Sequence, residues 1–459
     1  MAEALKADVC ILGAGPGGCA TALQLAKHGV DTLLLDRAIF PRDKVCGDAL
    51  SGKVMRSLER LDPALAVELR KHAALEPSWG VTFVAPSGKA LRVPFSRETG
   101  IGEAPGAILP RMDFDHFMLE AVKRDGHARI LEGTQAKAFE RTANGWSISV
   151  VGADKTERAV SCRLLIDASG ANSIFSKQIA GLPMEPRHHC AGVRAYYRGV
   201  TGLDPQGFIE LIFLKDLLPG YLWIFPLPDG RANVGLGLRT DMVKKRRVDL
   251  KKLLNELITE HPQLRERFAN AKAEGPVQGM GLPLASKRWP ISGDGFMLIG
   301  DAAHLIDPFT GEGISHAMIS GVHAANVAAE ALQAIREEQA VPQAALKDYD
   351  AHVWKRLGKE LGISTRLQQL ADRPWLFNLV VNKAASNPVL ADTISCMFND
   401  LDMRCLLYTS DAADERSSVD LGGRRIIKKK KKAVIVRRLS VRNNKLYVRT
   451  RQHLNSLSI

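Results

Sequence analysis

The sequence predicts an α/β fold in which a doubly wound domain is interrupted by a sheet-rich one and followed by helices. Three observations carry this. A strand, a glycine turn, a helix and a second strand follow one another between Val9 and Leu35. Short β-branched and aromatic runs separated by turn residues fill the middle of the chain. Strand-to-helix alternation then returns after Phe296. With 459 residues, the chain has material for about three domains of roughly 150 residues, or one two-lobed enzyme.

The elements follow in order. Val9 to Leu12 is an apolar run ending at Gly13, and helical spacing runs from Gly17 to His28 with Gly29 placed as its stop. Asp31 to Leu35 reads as the second strand, completing a βαβ unit. Residues alternate from Trp79 to Phe95 around Pro86-Ser87-Gly88, a hairpin pattern. Asp113 to Arg124 is helical. Trp146 to Val151 and Ser161 to Ile166 are strands joined near Asp154, and Ala191 to Arg239 is rich in strands. Phe296 to Ile299 is a buried strand, Gly313 to Leu332 a long Ala-rich helix, and residues 341–404 read as helices broken at Pro374 and Pro388. Residues 1–80, 105–185 and 281–335 are therefore expected to form a discontinuous nucleotide-type domain. Residues 81–104 and 186–280 form the sheet domain, and 336–404 a helical C-terminal part.

Composition is that of a globular protein, 46% hydrophobic and 25% charged, which excludes general disorder. No run of 18 apolar residues occurs and the N-terminus lacks a signal-peptide pattern, so a cytoplasmic location is expected. The seven cysteines show neither CxxC nor metal-ligand spacing, which points to reduced thiols and no metal site. The net charge of +13 suggests nucleic acid, but residues 405–459 alone carry 14 Lys/Arg against 4 Asp/Glu. The rest of the chain is close to neutral, and no nucleic-acid partner is expected. That tail also back-translates oddly. Cys405-Leu406-Leu407-Tyr408-Thr409-Ser410 is encoded by TGT CTC TTA TAC ACA TCT, which resembles the transposase end of a sequencing-library adapter. The segment from 405 is read as adapter-derived and kept out of the functional argument.

Gly13-Ala14-Gly15-Pro16-Gly17-Gly18 follows a strand and opens a helix. Gly13 permits a tight turn, Gly15 close approach of backbone to a pyrophosphate, and Gly18 close helix packing. Asp36, at the end of the second strand, suits adenosine ribose hydroxyls. A dinucleotide site follows. Gly300-Asp301-Ala302-Ala303-His304, Pro308 and Gly311-Glu312-Gly313-Ile314 form a second element. Asp301 suits a ribityl hydroxyl, and the helix start beyond it can face the pyrimidine edge of a flavin. Asp167 to Ser173 and Arg111 add donors and a cation for the pyrophosphate, although Arg111 alone could be an ion-pair residue.

With these motifs in this order, the chain resembles the geranylgeranyl reductase family of FAD-dependent oxidoreductases, flavoproteins of p-hydroxybenzoate-hydroxylase fold. The resemblance spans residues 7 to about 400. It rests further on Lys44-Val45-Cys46-Gly47, on Arg194 to Val200, and on Pro219-Gly220-Tyr221-Leu222-Trp223-Ile224-Phe225-Pro226, with Asn233-Val234-Gly235-Leu236-Gly237 after it. Ser169-Gly170 stands where relatives often have Asp-Gly. The resemblance implies a Rossmann-like FAD-binding domain, FAD as cofactor, and saturation of C=C bonds in a polyprenyl chain or prenyl lipid. It also implies an external electron donor, NAD(P)H or a ferredoxin-type protein. Peripheral contact with a membrane is left open.

Tyr221, Trp223 and Phe225 alternate along a strand and so share one face, either a wall for a prenyl substrate or an ordinary sheet core. Cys46 is either packing or a catalytic participant. The rival activity is an FAD-dependent monooxygenase acting on an aromatic or polycyclic compound, since the same flavin motifs serve both chemistries.

Overall fold

The first strand is buried almost throughout because Val9, Cys10, Ile11 and Leu12 are covered on both faces, as parallel central strands are. The computed structural model describes residues 5–96, 102–336 and 339–386. The expected break at Pro388, the end of the helical part and the adapter-like segment from 405 lie outside those residues.

Among them the strands are β1 (Leu5–Leu12), β2 (Thr32–Leu35), β3 (Ala49–Leu50), β4 (Glu76–Ser78), β5 (Gly80–Val84), β6 (Ala90–Pro94), β7 (Gly106–Ile108), β8 (Arg129–Leu131) and β9 (Gln135–Thr142). There follow β10 (Gly145–Val151), β11 (Glu157–Asp167), β12 (His189–Arg198), β13 (Ile209–Ile212), β14 (Tyr221–Leu227), β15 (Arg231–Arg239), β16 (Lys272–Pro283), β17 (Ser292–Gly293) and β18 (Phe296–Leu298). The helices are α1 (Pro16–Lys27), α2 (Gly52–Leu61), α3 (Pro63–Arg70), α4 (Arg111–Asp125), α5 (Ile174–Gln178), α6 (Thr240–Arg246), α7 (Leu250–Glu260), α8 (Arg265–Phe268), α9 (Ile314–Ala334), α10 (Gln343–Ala371) and α11 (Pro374–Ser386).

The larger sheet runs β17-β18-β11-β1-β2-β8, with β18, β11, β1, β2 and β8 parallel and the β9–β10 hairpin added on β11. Strand order reverses about β1, so the loops after β1, β2 and β11 open at one edge, where doubly wound sheets take their ligands. Helix α1 lies on α9. The crossing is close because small residues meet there: a Cβ on Gly17 would lie 3.1 Å from Ala317 Cβ, and one on Gly321 2.5 Å from Thr21 Oγ1.

The second sheet runs β16-β12-β15-β14-β13-β5-β6, antiparallel except for the β13–β5 pair. The expected hairpin from Trp79 to Phe95 is β5–β6, and it belongs to this sheet. One hydrophobic core fills the nucleotide side; two more lie on the faces of the second sheet. The helical C-terminal part has no core of its own among the described residues. Leu346, Tyr349, Val353, Leu357 and Leu361 of α10 join the first core, whereas Phe377 and Val381 of α11 join the second beside Phe213 and Phe309. A small sheet, β3-β7-β4, bridges the lobes.

Candidate active site

Two adjoining cavities occupy the seam between the sheets. The outer one, of about 480 Å³, runs from Gly13, Gly15 and Asp36 past Arg42 and Ser169 to Asp301. The inner one, of about 160 Å³, is walled by Cys46, Tyr221, Trp223, Phe225, Gly311, Gly313 and Ile314. Lys44, Val45, Arg111, Met280 and Asp301 line both, so the two cavities adjoin across these residues.

The outer cavity fits FAD. Gly13 sits at φ +101°, its N–H donating to Leu35 O, and a Cβ there would strike Ala168 O at 2.5 Å. A Cβ on Gly18 would lie 1.9 Å from Gly13 O, so Gly18 serves the turn and does not line the cavity. Gly15 differs: a Cβ there would meet only Arg42 Nη2, at 3.9 Å, because this glycine faces the cleft. It also caps α1 without a side-chain bond, leaving backbone N–H groups free for an anion. Asp36 accepts from Ala14 N at 2.7 Å and Ala38 N at 2.8 Å, which fixes its carboxylate at the far end.

Arg111 is buried and held bidentately by Asp115, at 2.6 and 2.7 Å, with Arg42 Nη1 on the same carboxylate. Burial opposes charge on Asp115, but Arg111 and Arg42 hold its carboxyl below the usual range. Arg111 thus makes the ion pair that was its alternative role, with Asp115 as the partner. Asp301 lies at the mouth of the inner cavity, where Lys44 Nζ approaches it at 3.1 Å. Pro308 lines neither cavity. Its carbonyl accepts from Gln368 of α10 at 2.6 Å, bracing the loop that carries Gly311 and Gly313.

Tyr221, Trp223 and Phe225 all face the inner cavity, and the first two are only partly buried. The indole of Trp223 lies over strand β15 because that strand offers glycine beneath it. A Cβ on Gly235 would be 2.3 Å from Trp223 Cζ2. Opposite, a Cβ on Gly47 would lie 2.6 Å from the Phe225 ring, and Gly311, at φ +74°, brings its Cα close to Tyr221 Oη. Cys46 stands on the same wall, and Arg111 lines the cavity with it.

What holds the Cys46 loop was not foreseen. Asp48, at φ +67° and fully buried, accepts from Tyr196 Oη at 2.7 Å, Asn233 Nδ2 at 2.6 Å and Arg111 N at 3.2 Å. Asn233 Nδ2 also donates to Cys46 O at 2.8 Å, and its Oδ1 accepts from Trp223 Nε1. Arg194 pins the neighbouring Asp43 at 2.8 Å. Burial pushes the Asp48 carboxyl up to about 6 despite these donors. The available signal was an Asn at the centre of a strand-like segment, Asn233, where a polar residue needs a buried partner.

Residues 6–200 match the FAD binding domain family and residues 192–275 the geranylgeranyl reductase catalytic domain. The menaquinone reductase of Mycobacterium tuberculosis is 32% identical over 332 residues, which cover 70% of this chain and 76% of that protein. Digeranylgeranylglycerophospholipid reductase 2 of Methanopyrus kandleri is 30% identical over 362 residues, 77% of this chain and 84% of that one. The chain belongs to the geranylgeranyl reductase family.

As a geranylgeranyl reductase family member, it is an FAD-dependent oxidoreductase. Its fold is that of a geranylgeranyl bacteriochlorophyll reductase-like protein from Thermoplasma acidophilum, with TM-score 0.72 and 23% identity over 88% of this chain and 96% of that one. A flavin-dependent brominase shares it too, at TM-score 0.70 and 22% identity, covering 90% and 99%. Fold alone therefore does not separate reduction from halogenation. No helix among the described residues is long and apolar enough to cross a membrane.

Proposed function

We propose that this geranylgeranyl reductase saturates isolated C=C bonds of a prenyl chain lying in the inner cavity. The observation that carries the reading is the aromatic face of β14. Tyr221, Trp223 and Phe225 wall an apolar chamber beside the cofactor cleft, while Phe225 also belongs to the sheet core and the other two pack against it. When bound and reduced, FAD supplies a hydride. Gly13, Gly15 and Asp36 are assigned to its adenosine diphosphate half, with Gly18 holding the turn beneath them and Arg111 toward the pyrophosphate. Asp301, Gly311, Gly313 and Ile314 are assigned to its ring end, and Pro308 supports that loop.

An unactivated alkene gives no stabilised anion, so hydride and proton must arrive nearly together. Catalysis then depends on holding the chain still and excluding water. Aromatic walls set edge-on and tilted to one another do both, since a prenyl chain is apolar and each buried CH₂ contributes about 0.8 kcal/mol. Cys46, on the same wall beside Arg111, is assigned contact with the reacting end of the chain. Residues 1–80, 105–185 and 281–335 are assigned to the FAD-binding domain and 81–104 and 186–280 to the substrate-binding sheet domain, with α10 and α11 packed on both. Electrons come from an external donor, NAD(P)H or a ferredoxin-type protein. A lipid-borne chain would bring the enzyme to a membrane surface without spanning it.

The test is anaerobic incubation of the reduced enzyme with a menaquinone and with a geranylgeranylated glycerolipid, reading product mass. Gain of two hydrogens per bond supports the reading. In a parallel aerobic incubation with an aromatic compound, oxygen insertion coupled to NAD(P)H oxidation would favour the monooxygenase instead.

A further inference from the structure

Most large apolar side chains of this protein are buried, but two that are not stand one turn apart on α11. Trp375 is 66% exposed and Leu379 45%. At i and i+4 they share one face of the helix. The opposite face is packed: Phe377 and Val381 are buried in the second core, with the Phe377 ring 4.5 Å from that of Phe213. Ile209, Leu211 and Phe225 belong to that same core and also line the inner cavity. Helix α11 therefore covers the core that walls the chamber and turns a tryptophan and a leucine outward.

A closed ring of contacts ties this face to a basic edge. The chain runs from Phe213 to Lys215, which is exposed, and Arg246 of α6 holds this loop. Its guanidinium donates to Asp216 O at 2.6 Å and to Leu218 O at 2.7 Å. Immediately before α6, Arg239 reaches Asp372 at 3.4 Å, and Asp372 caps α10 at the corner leading into α11. The ring gathers Lys215, Lys244, Lys245, Arg247 and Arg373, all exposed, near the Trp375 end of α11. The acids of these segments are mostly committed elsewhere. Arg239 holds both Asp241 and Asp372, and Asp249 caps α7 by accepting from the Lys251 and Lys252 amides. Asp216 offsets Lys215, and the rim stays positive.

A Trp–Leu face flanked by Lys and Arg is the chemistry of a helix lying in the interface of an anionic membrane. The apolar pair suits hydrocarbon, and its helix covers the chamber assigned to a chain carried in lipid. Both points favour a bilayer over a soluble acidic protein.

We propose that α11 docks the enzyme on a bilayer carrying anionic headgroups. Trp375 and Leu379 enter the acyl boundary, and Lys215, Lys244, Lys245, Arg247 and Arg373 meet the phosphates. The inference deepens the reductase reading and rests on it for its purpose, since it names the face at which a lipid-borne prenyl chain is presented.

The test uses the full chain loaded with FAD and vesicles of phosphatidylcholine and phosphatidylglycerol with brominated acyl chains, which quench tryptophan on contact. Residues 405–459 carry 14 Lys/Arg against 4 Asp/Glu and attract such vesicles by themselves, so the readout must be local to α11. Tryptophan fluorescence should fall on these vesicles, and most of that fall should vanish in Trp375→Phe. Lys244→Glu combined with Lys245→Glu should reduce it, and brominated phosphatidylcholine alone should quench less. With menaquinone embedded in vesicles, Trp375→Ser should raise KM several-fold at unchanged kcat, and behave as wild type with the same lipid in detergent micelles. Vesicle binding without quenching, quenching undiminished in Trp375→Phe, or equal quenching on neutral vesicles would each overturn the proposal. A wild-type dimer that Trp375→Ser converts to monomer, with neither quenched, would overturn it in favour of a second copy on this face. If the wild type reduces no prenyl lipid while Trp375 is quenched as described, the substrate reading fails and the docking face stands. Should Trp375→Phe not fold, the Lys244→Glu, Lys245→Glu pair decides.

Discussion

Trp223 and Asn233 are joined across neighbouring strands, indole Nε1 to amide Oδ1 at 2.9 Å. They are diagonal partners on one face of the sheet, since Trp223 pairs with Gly235 and Phe225 with Asn233. Because the same amide holds Cys46 O and Asp48 Oδ2, one side chain ties the aromatic wall to the cysteine loop. Asn233→Ala should therefore leave an indole N–H, a carbonyl and a carboxylate short of partners. A loss of about 2–3 kcal/mol is expected in denaturant unfolding, with slower substrate-driven flavin reoxidation. An unchanged midpoint would show that the tie contributes nothing.

Trp223→Ala separates wall from core. Trp223 is partly exposed to the cavity, so its loss should cost less than the roughly 3–5 kcal/mol of a fully buried Trp. FAD should stay bound and reducible by dithionite, while reoxidation by a prenyl substrate slows by at least tenfold through poorer chain alignment. A variant that melts early yet reoxidises at the normal rate would return the stripe to the core.

The glycines of the first turn should behave differently from one another. Gly18→Val drives a side chain into Gly13 O and should prevent folding. Gly15→Val has room in the protein and should fold, but its side chain projects into the cleft and FAD should be absent. Flavin absorbance and the melting temperature of each variant check this. A yellow Gly15→Val protein would remove the assignment.

Asp48 gives a pH dependence with a definite sign. Its folded value of about 6 lies above the ordinary 3.8, so between the two the folded chain keeps a proton that the unfolded chain has lost. Stability from this group is full at low pH and falls as pH rises through that window, by about 3 kcal/mol at roughly 1.4 kcal/mol per unit. The wild-type advantage over Asp48→Asn in urea unfolding should shrink by about 2.4 kcal/mol between pH 4 and pH 7. A constant difference would mean that Asp48 is ionised throughout.

The fold was legible because it is written in local periodicity. The βαβ unit, the β5–β6 hairpin and α9 all show their period or turn residues directly. The second sheet was visible as strands but not in its order, since the β13–β5 pairing joins segments more than a hundred residues apart. In the site, glycine turns and the aromatic alternation could be read because their chemistry depends on sequence spacing. Asp115 under Arg42, Asp48 under Tyr196, and Lys53 against Glu360 could not. Each pair is made by tertiary packing, and a charged residue in sequence looks the same whether it faces solvent or a buried partner.

The cavity behind the cofactor cleft is proposed to hold a prenyl chain for reduction. The most direct measurement is stoichiometric: dithionite-reduced enzyme, free of excess reductant and oxygen, mixed with a menaquinone or a geranylgeranylated glycerolipid. For each flavin reoxidised, one product molecule should be heavier by two hydrogens in its prenyl chain, read from fragment masses after any quinol formed is returned to the quinone. Flavin that stays reduced with both lipids, with no gain in product mass, would contradict it.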